Sequence, residues 1–319
     1  MPKAKSILFF DKVAITIPIP KPSRLDLLKK VNNPEFHSSY NRKVYSDRKG
    51  RYKNNYQFTI ANKATIEVSL YPIKVDQNFI RIEYNPAKLG KEGRKQLRVF
   101  IVQLIGISLA KRVYFDANVT RVDLTLDNYQ MESNLYIYKP KSKTSSLYRQ
   151  EEGNRILSQV IGSDASDIRI TLYDKKAQLL GINVGSKKAT YQRLEIRYRL
   201  RGLTIATLND ALLKDIKSLH FYCDGFLTDD RFDSAFIADA YHRGLNYAMS
   251  QINDSCKRRN RTYLADYRAF PIPVSVLNFD YAHYVAFNRL LHPDFRNKEL
   301  IRQHKSLLKG VVLPGEQIA

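Results

Sequence analysis

The stretch TRVDLTLD, residues 120–127, decides the fold because it alternates without a break. Val122, Leu124 and Leu126 point one way, and Arg121, Asp123, Thr125 and Asp127 point the other. Successive side chains along a strand face opposite sides of a sheet, so this is a strand with one apolar and one polar face. Three more segments repeat the pattern. In 79–84, Ile80, Ile82 and Tyr84 oppose Arg81 and Glu83. In 168–173, Ile168, Ile170 and Leu172 oppose Arg169, Thr171 and Tyr173. In 193–197, Leu194 and Ile196 oppose Arg193, Glu195 and Arg197. The expected class is therefore α+β: an antiparallel sheet with one face on helices and the other polar.

Working outward, 7–18, 56–60, 64–70, 119–127, 155–161, 167–173 and 191–200 also read as strands, rich in Ile, Val, Phe and Tyr. Residues 93–112 read as one amphipathic helix, with Leu97, Phe100, Ile101, Leu104 and Ile105 on its stripe. The polar stretch 139–153, KPKSKTSSLYRQEEG, reads as a mobile loop. From about residue 203 the pattern turns helical, at 207–216, 230–254 and 283–308, interrupted by Pro271 and Pro273. This places a boundary near 202, with a strand-rich part at 1–202 and a mainly helical part at 203–319.

The chain has 319 residues, with 53 Lys plus Arg against 31 Asp plus Glu, a net charge of +22. A surplus of that size favours a polyanionic partner, nucleic acid first. Hydrophobic content of 44% excludes a disordered tail. The longest apolar run, 99–110, is too short to span a bilayer, and the N-terminus MPKAKSILFF is not a secretory signal. Cys223 and Cys256 form no CxxC pair, so neither a disulfide framework nor a cysteine zinc site is expected, and a reduced cytoplasm is. His37, His220, His242, His283, His292 and His304 show no HxH or HxxxH spacing, and there is no phosphate-binding glycine loop. Tyrosines interleave with cations in 40–56, YNRKVYSDRKGRYKNNY, which reads either as a surface that stacks single-stranded bases or as a basic loop.

Two readings of the polar face stand side by side. One is an ordinary wet face on which arginines pair with acids across strands. The other is a groove of arginines for phosphates around carboxylates that hold a divalent cation. Asp123 and Asp127 lie about 13 Å apart on one strand and cannot share an ion. Glu83, Asp123 and Glu195 could converge if their strands are neighbours, and oxygen donors of that kind suit Mg²⁺ or Mn²⁺. Asp127 then caps the strand exit or pairs with a base.

Four blocks in order, FIRIEYNPAKL (79–89), TRVDLTLD (120–127), IGSDASDIRITLYDKK (161–176) and RLEIRYRLRG (193–202), carry a family resemblance. The last three resemble the Rep_trans group of rolling-circle plasmid replication initiators. The first resembles the filamentous-phage gene II replication proteins. Together they cover roughly 56–202, and nothing after 202 matches. The resemblance implies a nicking and joining enzyme that cuts one strand of a double-stranded origin at a single-stranded nick site, keeps the 5′ end on a tyrosine and leaves a 3′-OH. By position, Tyr173 is the implied nucleophile, and Asp123, Glu195 and Glu83 are the implied metal ligands.

On that reading Lys175, which shares the strand parity of Tyr173, would assist the phenol, and Arg169 and Arg197 would hold the phosphate. Arg121 and Arg193 add positive charge to the same face. The turn 162–167 is a hairpin turn or a source of backbone N–H groups. Lys257, Arg258 and Arg259 open a basic cluster that either reads duplex DNA or is a solvated linker. The family leaves room for a host helicase and a second copy of the chain as partners, in the cytoplasm of a bacterial host and without a membrane. A non-catalytic DNA-binding replication regulator and a conjugative relaxase are the alternatives. If Tyr173 is not the nucleophile, Tyr191, Tyr198 and Tyr148 come next.

Overall fold

The computed structural model describes residues 7–20, 23–45, 50–60, 64–73, 78–128, 134–150, 155–180, 192–269, 279–288 and 291. Two compact units divide the chain, and none of the points where they meet falls at 202. One unit takes Phe9–Asp123, Arg199–Asn209 and Phe279–Ala319; the other takes Met1–Leu8, Leu124–Tyr198 and Asp210–Asn278. The long strand 118–128 changes unit at Asp123/Leu124, so the segment that decides the fold contributes to both.

The first unit is built on β1 (Ile7–Pro18), α1 (Ser23–Asn32), α2 (Pro34–Tyr40), β2 (Arg42–Tyr45), β3 (Tyr52–Thr59), β4 (Thr65–Pro72), β5 (Phe79–Tyr84), α3 (Gly90–Ile105), α4 (Ile107–Asp116) and β6 (Asn118–Asn128). Its strands lie in the order β2-β3-β4-β5-β1-β6, and the pairs from β2 through to β1 are antiparallel. The alternation works as the sequence predicts on the apolar side. Phe58, Ile66, Val68, Ile80, Ile82, Leu97, Phe100 and Leu104 are all fully buried, and the rings of Phe58 and Phe100 meet at 5.0 Å. The predicted helix 93–112 is two helices. Gly106, at φ +82°, ends α3 with its N–H on the Val102 carbonyl at 2.8 Å and starts α4. A left-handed glycine can make that break at little steric cost. Of segment 40–56, 42–45 and 52–56 are strand; Tyr40, at the end of α2, and Tyr56 pack in the core, and Tyr56 stacks on Phe58.

The second unit takes the C-terminal half of β6 with β7 (Tyr136–Tyr138), β8 (Ser145–Arg149), β9 (Ile156–Ile161), β10 (Ile168–Asp174), α5 (Lys175–Leu180), β11 (Gln192–Arg199), α6 (Leu213–Lys217), β12 (His220–Tyr222), α7 (Ser234–Arg243), α8 (Leu245–Gln251), α9 (Asp254–Leu264) and β13 (Arg268–Ala269). Its strands run β6-β11-β10-β9-β8, and a small sheet runs β13-β12-β7. The expected loop 139–153 is corrected by a strand. Within it, β8 pairs antiparallel with β9, because the Ser145 hydroxyl ties the strand to α7 and α8: it donates to the Arg243 carbonyl and accepts from the Tyr247 N–H. The expected helix 230–254 is also divided, by Gly244 (φ +87°) and by the Asn253 cap of α9. Its apolar residues Phe236, Ala240, Leu245 and Met249 still share one core, with Phe226 and Leu264. Of the expected helix 283–308, only 283–288 and 291 are described, and Pro271 and Pro273 lie outside the described residues. Among the described residues no helix is long and apolar enough to cross a membrane.

Candidate active site

In the second unit the antiparallel register of β10 and β11 sets three pairs on one face: Arg169 opposite Arg197, Thr171 opposite Glu195, and Tyr173 opposite Arg193. On its other side Tyr173 faces Ser158 of β9. Directly opposed residues hold their Cβ atoms about 5 Å apart, so these side chains are neighbours. Tyr173, Glu195, Arg169 and Arg197 are half-buried and line one cavity of about 390 Å³, which Ser158 and Gln178 also line. The tyrosine, one of the expected acids and the two expected phosphate-holding arginines therefore share a solvent-accessible space.

β10 ends where Asp174, buried, caps α5 by accepting the Ala177 N–H at 2.9 Å; its other oxygen takes the Arg155 guanidinium. Lys175 is thus the first residue of a helix, and strand parity no longer governs it. It stays near Tyr173 all the same: its Nζ stands 5.7 Å from the centre of the ring and donates to Gln178 Oε1 at 2.6 Å. Arg193 is the direct cross-strand partner of Tyr173, but its guanidinium turns to β6. Its Nε and Nη2 bind the two oxygens of Asp127 at 2.6 and 2.8 Å, and the pair is buried. Asp127 therefore takes an arginine rather than a base, and Arg193 is committed within the protein.

The first unit holds the other acids. Glu83 forms ion pairs with Lys12 and Arg81, and Arg121 Nη1 stands at 4.0 Å. Asp123 accepts two bonds from Arg121, from Nε at 2.8 Å and from Nη2 at 2.5 Å. Glu83 is 4% exposed and Asp123 3%. The expected wet face is thus corrected here: it is polar but sealed, because the cations lie over the carboxylates and bury them. Burial raises the Glu83 carboxyl, but Arg81, Lys12 and Arg121 outweigh it and hold the group below the usual carboxylate range. Tyr45, whose hydroxyl lies 3.5 Å from Glu67 Oε2, is pushed up to about 12, by burial first and then by that acid. Within each unit, no three His, Cys, Asp or Glu among the described residues gather at metal-binding spacing.

Of the other tyrosines considered as nucleophiles, Tyr198 is buried with its hydroxyl on the Leu212 carbonyl at 2.5 Å, and Tyr148 is 60% exposed on β8. Tyr191 lies outside the described residues. The basic cluster is part of α9, not a linker. Asn253 caps the helix by accepting the Cys256 N–H at 2.9 Å, and Asn260 and Leu264 are buried. Arg258, Arg259 and Arg261 lie along the same helix, and Lys257 pairs with Asp254 at 3.0 Å. Sequence reasoning missed Asp164. Its carboxylate forms an ion pair with Arg169 and lies 3.8 Å from Arg197 Nη1. The available signal was an acid in the hairpin turn, five residues ahead of a strand arginine.

No family model and no curated protein matches the sequence. Among solved structures, the chain is similar to that of a rolling circle replication initiator protein from Geobacillus stearothermophilus. The identity is 16% and the TM-score 0.40, over 72% of this chain and 90% of that one. A likeness at that score carries no functional weight, and function is read from the residues that line the cavity.

Proposed function

We propose that this chain initiates rolling-circle replication by nicking and rejoining DNA through Tyr173. One observation carries the reading: a half-buried tyrosine, Glu195 and two arginines line a single cavity, with Lys175 beside the tyrosine ring. A phenol is a weak nucleophile at neutral pH, and nearby positive charge favours its phenolate. The Tyr173 oxygen attacks phosphorus, the 3′ oxygen leaves and takes up a proton, and the 5′ end stays on Tyr173 as a phosphodiester. Rejoining reverses the exchange without a nucleotide cofactor, because the ester conserves the bond.

We propose Mg²⁺ or Mn²⁺ as cofactor, held by Glu195 with phosphate oxygens and water. Such ions commonly use one or two carboxylates beside substrate phosphates. When bound, the ion would neutralise charge on the scissile phosphate. Glu83 and Asp123 do not fit as ligands where they stand, since lysine and arginine already match their charge, and no step is assigned to them. Their saturated ion pairs favour the second reading, a non-catalytic DNA-binding regulator. Helix α9, with Arg258, Arg259 and Lys257, is our proposed contact to duplex origin DNA, since a major groove admits a helix. A host helicase, a second copy of the chain and the cytoplasm of a bacterial host complete the proposal.

The test is incubation with a supercoiled plasmid carrying the cognate origin, with Mg²⁺ or Mn²⁺. Nicking with protein attached to the 5′ end is the expected result. Tyr173→Phe removes both the nick and the attachment and leaves binding within about twofold, since only the hydroxyl is lost. Binding without cleavage by the wild-type chain would favour the regulator.

A further inference from the structure

The cross-strand pair of Arg169 and Arg197 has an unusual feature. Like charges directly opposite each other on a sheet repel, so the pair needs an anion between the two guanidinium groups. That anion is Asp164, whose Oδ1 serves Arg169 and lies 3.8 Å from Arg197 Nη1. A phosphate oxygen is held by guanidinium groups through the same charge-assisted contacts as a carboxylate oxygen. Asp164 is 78% exposed while the two arginines are about one-quarter exposed, so the carboxylate sits at the rim and the cations below it. Exposed ion pairs are weak, and this one can be displaced. Arg169 Nε is buried and has no hydrogen-bond partner among the described residues.

We propose that Asp164 is the resident anion of a phosphate subsite formed by Arg169 and Arg197, and that a backbone phosphate of the DNA strand takes its place. The inference rests on the reading that a strand enters this cavity. Arg169 lies four residues from Tyr173 on β10, about 13 Å at the rise of a strand. The subsite therefore holds a phosphate flanking the scissile one, and Asp164 sets how strongly the strand must compete to enter. The turn that presents Asp164 is fixed. Gly162 has φ +88°, and a Cβ there would come within 2.7 Å of the Ile168 carbonyl oxygen; Ser166 Oγ accepts the Ser163 N–H at 2.9 Å.

The test is fluorescence anisotropy of the full chain with a short single-stranded oligonucleotide, in EDTA and at fixed salt. Asp164→Asn is expected to tighten binding several-fold, whereas Asp167→Asn, an acid in the same turn, leaves it unchanged. Arg169→Ala and Arg197→Ala are expected to weaken binding, and in Asp164→Asn/Arg169→Ala the gain from the first change disappears. Unchanged or weaker binding by Asp164→Asn, or equal tightening by Asp167→Asn, overturns the proposal. If neither arginine variant alters binding, the cavity reading itself fails, a result distinct from failure at Asp164 alone.

Discussion

The two units carry the same residue types on their polar strand faces and use them differently. In the first, Glu83 and Asp123 are buried under Lys12, Arg81 and Arg121, and Tyr45 stands beside Glu67, where its proton is held more tightly. In the second, Glu195, Arg169 and Arg197 open onto a cavity, and Tyr173 stands beside Lys175. A tyrosine among acids is a poor nucleophile, and one among cations a better one. The difference teaches that arginine facing acid on a strand does not by itself mark a site. Whether the pair is sealed or borders a cavity separates structure from chemistry.

The sharpest way to break the contrast is Glu83→Gln. It removes the charge that Lys12 and Arg81 pair with, at a site that is 4% exposed, directly opposite Glu67 on β4. Removing one partner of a buried pair costs about 3–5 kcal/mol, and the lower end applies here because Lys12 is 35% exposed. Chemical denaturation should show a loss of about 3 kcal/mol. A loss below about 1 kcal/mol would put this cluster in the same class as exposed ion pairs.

The second prediction uses pH. The folded Glu83 carboxyl titrates below its unfolded value. Its contribution is therefore complete above the unfolded pKa of about 4.3 and is lost as pH falls through the lower folded value. Thermal midpoints measured from pH 6 to pH 3 should fall more steeply for the wild type than for Glu83→Gln. Parallel curves would show that the cluster does not respond to this proton.

The alternation at 79–84, 120–127, 168–173 and 193–197 made the fold legible, because a two-residue period leaves a strand little choice once its apolar face is buried. The same alternation put Tyr173, Glu195, Arg169 and Arg197 on one face. It could not show what covers that face, since Arg81 over Glu83 and Arg169 under Asp164 depend on side-chain rotamers and on a turn. The breaks at Gly106 and Gly244 escaped because the apolar stripe continues through both. β8 escaped because SSLYR carries one apolar residue, Leu147, and owes its place to the Ser145 hydroxyl. Lys175 was found for a reason that does not hold, as strand parity ends at Asp174.

The smallest expected effect on stability is at Glu195→Gln, and it completes the contrast. Arg197 Nη2 stands 4.0 Å from Glu195 Oε1, and both side chains keep contact with water at 25% and 18% exposure. A pair that loose contributes about 1 kcal/mol or less, and glutamine preserves its shape. Denaturation midpoints should therefore be nearly unchanged, while Mg²⁺- or Mn²⁺-dependent nicking is lost because the proposed ion ligand is gone. A variant as unstable as Glu83→Gln would make Glu195 another sealed acid. A stable variant that still nicks at the wild-type rate would remove Glu195 from the chemistry and leave the arginines and Tyr173 to account for it.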